Sequence, residues 1–371
     1  MKVVIINDAE LNALPPVRNL VDVLIYLGVN TVLVSRDTEN AMEDYNSKGV
    51  KTYRLIGNPA NFAGKALAVI QRRSLIPKIV QTEMSNGDLL WATSAKSAIA
   101  IGMNLLSKYK SVIQFLELTE DVPLYNGQSL IMANLKKYAK LAHKIVVPEY
   151  NRAHILKTWW NLKETPVVLP NKPYKLPPLE IPAEIKIKLA KLIAESRKVV
   201  LYLGDLNPDR DLENIANAIS SMNDYAFYWL GRANKNLTAL LRNNPVIEYL
   251  GYIQPPYHIC AARYATIGLL PYRPTKDMQE FSELNALYCA PNKIYEYASQ
   301  GLPMIGSDIP GLKFPFEIYK IGECYQENSI ASIVTAIRKI ESNMQEYRAN
   351  CLKFWKSDDI VQIIKSIITD D

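Results

Sequence analysis

The chain has 371 residues, of which 49% are hydrophobic and 22% charged, with a net charge of +6. That length exceeds what one hydrophobic core serves, so two domains are expected, and the composition excludes a disordered or fibrous chain. Cys260, Cys289, Cys324 and Cys351 are scattered without a CxxC pair, which argues against a zinc site or a disulfide framework and for reduced thiols in the cytoplasm.

Met1-Lys2-Val3-Val4-Ile5-Ile6-Asn7 reads as a strand rather than a signal peptide, and no apolar run approaches the length of a membrane span. Apolar, β-branched runs at 2–6, 31–35, 51–56, 79–82, 111–116, 144–148 and 166–169 read as strands. Helix-like segments at 17–27, 64–73, 89–107 and 130–142 lie between several of them. Alternation of this kind predicts a parallel sheet covered on both faces. Basic residues gather on segments 132–144 (Lys136, Lys137, Lys140, Lys144) and 185–198 (Lys186, Lys188, Lys191, Arg197, Lys198). Basic amphipathic helices leave peripheral contact with the inner face of an anionic membrane open, although most are plain surface helices. No nucleic-acid-binding motif accompanies the charge.

Pro170-Asn171-Lys172-Pro173, Pro177-Pro178 and Pro182 form a stiff connection, so a domain boundary is expected near 171–183. Beyond it, Val199–Leu203, Ala226–Leu230, Val246–Leu250, Thr266–Leu270 and Pro303–Ser307 read as five buried strands. Helices fit at 211–221, 234–243, 255–263, 292–300 and 329–343. The expected division is 1–172, 173–350 and a terminal amphipathic helix over 351–371. Neither half carries GxGxxG, and the stretch from Gly57 to Gly64-Lys65-Ala66 has the wrong spacing for a phosphate-binding P-loop. His143, His154 and His258 show no metal or base partner, and no HExxH occurs, so neither a metal nor a bound cofactor is expected.

The most informative stretch runs from Ala290 to Ser307. Pro291 at the start and Gly301 at the end bracket a helix that feeds into a buried strand. Ile294, Tyr297 and Ala298 make its apolar stripe, which places Asn292, Lys293 and Glu296 on more open faces. The free N–H groups and partial positive charge of a helix start suit a diphosphate. Lys293 adds a full charge, and Glu296, one turn on, is placed to accept a ribose diol.

Pro-Asn-Lys-Ile-Tyr-Glu-Tyr-Ala-Ser-Gln-Gly-Leu-Pro resembles the donor-binding helix of the retaining, glycogen-synthase-like "group 1" glycosyltransferases. The resemblance implies a GT-B fold: two Rossmann-like domains facing across a cleft, with a C-terminal helix crossing back to the first. It is strong from about 199 to 311 and weak before 140. It implies donor contacts from Gly204, Arg210, Gly251, Tyr252, Ile253, Pro291, Asn292, Lys293 and Glu296. Leu203-Gly204-Asp205 through Arg210-Asp211 is similar to the family's phosphate loop, with Arg210 keeping a positive charge and Asp205 reversing one. Tyr288 stands where many members carry a first glutamate. In the first half, Glu117 and Glu120 match acidic positions while Thr119 replaces a histidine. Asn171 reads as structural and Arg18 as a surface residue.

The implied activity is transfer of a sugar from a UDP- or GDP-sugar to a glycan or lipid-linked acceptor. The family implies retention, no obligatory metal, and a role in bacterial surface-polysaccharide assembly. Lys293 and Arg210 are the expected catalytic cations, and Glu117 and Glu120 the candidate carboxylates. A nucleotide-sugar epimerase of the same architecture, and a non-catalytic partner that binds acceptor or a sister subunit, remain open at this point.

Overall fold

The computed structural model describes residues 1–11, 14–57, 59, 61–119, 121–125, 128–234, 236–274 and 282–369. Backbone contacts divide the chain into two units: Met1–Tyr174 with Ile360–Asp371, and Lys175–Asp359.

In the first unit the strands are β1 (Lys2–Ile6), β2 (Asn30–Ser35), β3 (Lys51–Arg54), β4 (Leu89–Ala92), β5 (Ser111–Gln114), β6 (Asp121–Tyr125), β7 (Gln128–Asn134), β8 (Lys144–Val147) and β9 (Val167–Val168). Seven form a parallel sheet in the order β3-β2-β1-β4-β5-β8-β9, and β6 and β7 pair separately as an antiparallel hairpin.

Three expectations in this half fail for one reason, that short apolar runs fit either period. The run 79–82 lies inside a helix, Phe62–Glu83, which continues through Pro77 and buries Ile76, Ile79 and Val80 on one face. Residues 89–92 are a strand rather than the start of a helix: Leu89, Leu90, Trp91 and Ala92 are all buried between β1 and β5. The segment 130–142 begins in β7 and becomes helical only over Leu135–Ala139, where the Asn134 side chain caps the Lys137 N–H.

The second unit carries β10 (Lys198–Leu203), β11 (Tyr225–Leu230), β12 (Ile247–Tyr249), β13 (Ile267–Leu270), β14 (Met304–Ser307) and β15 (Gly322–Tyr325). Their order is β12-β11-β10-β13-β14-β15, and every neighbouring pair is parallel. This is the doubly wound order with its reversal between β10 and β13. Apolar clusters cover both faces, one holding Leu201, Tyr297 and Phe316, the other Val200, Trp229 and Ile337. The basic segment 185–198 is broken into helices Ala183–Lys188 and Ala190–Ile193 before β10 begins.

The terminal helix expected from Cys351 is two helices. Met344–Ser357 buries Cys351 and Phe354 in the second unit, Asp358 is extended, and Ile360–Thr369 packs Ile360, Ile364 and Ile367 into the first unit's core beside Val17 and Leu20. Among the described residues no helix is long and apolar enough to cross a membrane.

Candidate functional site

Open parallel sheets bind ligands beyond the carboxyl ends of their strands, at the point where strand order reverses. In the second unit that point lies between β10 and β13, whose pairing spans only Val200–Ile267 and Leu201–Gly268. Past it the strands are bridged by a side chain. The Tyr297 hydroxyl accepts from the Leu203 N–H of β10 at 2.8 Å and shares its proton between the Leu201 carbonyl of β10 at 3.1 Å and the Leu269 carbonyl of β13 at 3.4 Å. Its ring lies against Gly268, where a Cβ would come within 2.7 Å of it. The helix Asn292–Ser299 is thus pinned to the switch point by a buried tyrosine, and burial pushes that phenol's pKa well above its ordinary value.

No side chain caps the start of this helix. Lys293 projects from the first turn over Gly204, whose missing Cβ leaves room for its stem; a Cβ there would meet Lys293 Cε at 2.5 Å. Desolvation lowers the pKa of Lys293, opposed by Glu296, Asp205 and Asp209 and assisted by Arg210. The helix start and the loop after β10 therefore share one electrostatic environment.

Glu296 departs from the expectation of an open face, being only 7% exposed. The turn Tyr257–Tyr264 packs over it and places His258 Nε2 3.3 Å from Glu296 Oε1. His258 therefore does have a partner, contrary to the reading from sequence, and its Nδ1 is buried with none among the described residues.

The loops after β10 and β13 are tied together. Asp211 N–H donates to Pro271 O and Arg273 N–H to Asp209 O, each at 3.1 Å, and Arg210 bridges Tyr272. This holds the Arg210 guanidinium 3.7 Å above the Tyr272 ring and in an ion pair with Asp209. Burial opposes the charge of Arg210, but Tyr272, Tyr202 and Asp209 outweigh it and raise its pKa. Its side chain is only 11% exposed. The other Asp209 oxygen, Oδ1, is buried without a partner among the described residues. Asp205 accepts the Arg232 N–H at 2.9 Å, which gives its carboxylate a structural task in the loop.

The loop after β12 turns at Gly251, whose φ of +80° favours glycine. Gly251 O accepts from the Gly231 N–H at 3.0 Å. Ile253 is buried, leaving backbone as this loop's contact surface, while Tyr252 is exposed with Arg232 4.9 Å over its ring. Gly204, Lys293, Glu296, Arg210 and the Gly251 loop thus converge on one edge of one sheet. Tyr272, Asp209, His258 and the Tyr297 hydroxyl were missed, because each acts through a partner more than fifteen positions away or through a loop contact that spacing does not encode.

In the first unit, Glu117 is 45% exposed and lies 3.5 Å from Arg152 Nη1. Glu120 falls outside the described residues. Among the described residues no group of three or more His, Cys, Asp or Glu is placed to hold a metal ion.

No protein-family profile and no curated protein sequence matches the chain. Solved structures do. HepE from Anabaena, in complex with UDP and glucose, is 14% identical with a TM-score of 0.68, covering 100% of this chain and 99% of that one. A Rickettsia africae glycosyltransferase is 15% identical at a TM-score of 0.66, covering 100% and 99%. WaaG, a glycosyltransferase of lipopolysaccharide biosynthesis, is 12% identical at 0.64, covering both chains fully. The chain has the GT-B fold. At these identities the likeness establishes architecture, and the GT-B fold accounts for both doubly wound sheets.

Proposed function

We propose that this GT-B protein is a glycosyltransferase that takes a sugar from a nucleoside-diphosphate sugar bound to its second unit. The observation that carries the reading is the meeting of Lys293, Gly204 and Glu296 at the switch point. The bound UDP of HepE, a structure of the same fold, supports it. The diphosphate lies at the start of the helix Asn292–Ser299, the ribose diol on Glu296, and the base against the Gly251–Ile253 backbone.

When the glycosidic bond breaks, negative charge grows on the departing diphosphate. Lys293 and the first-turn N–H groups stabilise it directly, and Arg210 adds positive potential tempered by Asp209. Because Lys293 is partly desolvated, its charge is worth more there than in water. Gly204, Pro291 and Asn292 shape the pocket. Glu117 or Glu120 serves the acceptor, the anomeric configuration is retained, and no metal is required. The acceptor is a glycan or lipid-linked glycan of surface-polysaccharide assembly, met in the cytoplasm or at the inner face of the membrane. A non-catalytic binding subunit is the second reading, favoured only by the structural engagement of Asp205.

Thermal shift against UDP, GDP and their sugars tests the reading, since a ligand specific to the folded state raises the melting temperature by mass action. Stabilisation by one nucleotide series, followed by sugar transfer or slow donor hydrolysis, is expected. No response to any nucleotide overturns the reading, and binding without turnover on a broad acceptor panel favours the second.

A further inference from the structure

His258 sits on the turn Tyr257–Tyr264, six residues beyond the Gly251–Tyr252 loop. Its Nε2 is 3.3 Å from Glu296 Oε1, and the two side chains are 15% and 9% exposed. Exposed ion pairs of this length contribute little, but this pair is shielded from solvent on both sides. Its Nδ1 is buried with no partner among the described residues. With the ring proton on Nε2, that N–H faces the carboxylate across the 3.3 Å contact. A glutamate has three rotatable bonds, and a ribose diol requires its carboxylate in one orientation. The His258 contact supplies that orientation from a different element, the one that continues the base-contacting loop.

We infer that His258 is a positioning residue for donor binding, holding the Glu296 carboxylate in register for the ribose and coupling it to the loop that receives the base. This rests on the donor reading given above. Any purine or pyrimidine nucleoside diphosphate with an intact 2′,3′-diol uses it, and a 2′,3′-dideoxy analogue does not.

The test is UDP and GDP titration by calorimetry on the full chain, continuing with the tighter of the two. Glu296→Gln is expected to weaken binding about tenfold, as for loss of a charge-assisted hydrogen bond. His258→Leu is expected to weaken it about three- to tenfold, and His258→Gln, whose amide donates from the Nε2 position, to stay within about twofold of wild type. In the Glu296→Gln background, His258→Leu should change affinity by less than about twofold, because the partner it served is gone. Turnover should show a raised donor KM with kcat nearly unchanged.

A purely structural histidine predicts additive losses and no rescue by glutamine, which overturns the inference. So does wild-type affinity in His258→Leu while Glu296→Gln is weakened. If Glu296→Gln binds as wild type, or neither nucleotide binds the wild type, the donor reading itself falls. Should His258→Leu fail to fold, His258→Asn against His258→Gln decides, since asparagine places its amide too short to reach Glu296.

Discussion

The two sheets end very differently at their carboxyl edges. After β1, Asp8 accepts from Arg36 Nε at 2.8 Å and from Arg72 Nη1 at 3.0 and 2.9 Å, while its own N–H goes to Ser97 Oγ at 3.1 Å. Beside it Asn7 donates to Ala9 O at 2.9 Å and accepts from Thr93 Oγ1 at 2.8 Å. After β10, the corresponding place holds Gly204, and a lysine stem from a distant helix fills the space. Nearby, Asp209 Oδ1 and His258 Nδ1 are buried without partners among the described residues. Buried polar atoms are nearly always hydrogen-bonded, so exceptions mark either strain or an absent partner. The Asp8 cluster spends its polar groups on the fold, whereas the second edge leaves Asp209 Oδ1 and His258 Nδ1 without partners among the described residues, as the proposed donor site would need.

The comparison breaks first at Asp8. Removing a buried carboxylate from between two guanidiniums leaves uncompensated charge, so Asp8→Ala should destabilise by about 3–5 kcal/mol. Denaturant unfolding measures this, and UDP or GDP affinity should be unaffected; a nucleotide defect in that variant would place the ligand in the wrong unit.

In the second unit, a Cβ at Gly231 would come 1.9 Å from the Gly204 carbonyl. Gly231→Ala should therefore lower stability by about 1–3 kcal/mol through forced backbone displacement, and weaken nucleotide binding as well. Tyr297→Phe keeps the ring but orphans the Leu203 N–H and Leu201 carbonyl, a loss of about 1–3 kcal/mol read from the same unfolding curves. Arg210→Ala should weaken donor binding about tenfold, and less if the Asp209 pairing already absorbs its charge.

The smallest effect is a pH dependence. Desolvation holds the pKa of Lys293 below 10.5. As pH rises, the folded chain loses this proton before the unfolded chain does, so ligand-free stability from this group rises over the interval up to 10.5. Donor affinity should fall over the same interval as the ammonium is neutralised, and Lys293→Met should abolish that alkaline arm.

These opposite edges also explain what the sequence revealed. The helix Asn292–Ser299 was legible because Pro291 and Gly301, which bracket it, and its Ile294, Tyr297 and Ala298 stripe are local. Strands 2–6 and 199–203 were legible as unbroken β-branched runs. The burial of Glu296 was not, because the element covering it arrives from 257–264. Likewise the Asp8 cluster joins residues 8, 36 and 72, which share no spacing rule. Leu89–Ala92 and Ile79–Val80 were misread in opposite directions, since a run of two to four apolar residues fits a buried strand and one turn of a buried helix equally well.

The central claim is that a nucleoside diphosphate lies on the second unit at the start of the helix Asn292–Ser299. Amide hydrogen exchange with and without the tighter-binding of UDP and GDP tests it most directly. Protection should appear at residues 204–206, 251–253 and 292–296 and be lost together in Glu296→Gln at the same nucleotide concentration. Protection confined to residues 1–174, or none at saturating nucleotide, contradicts the account.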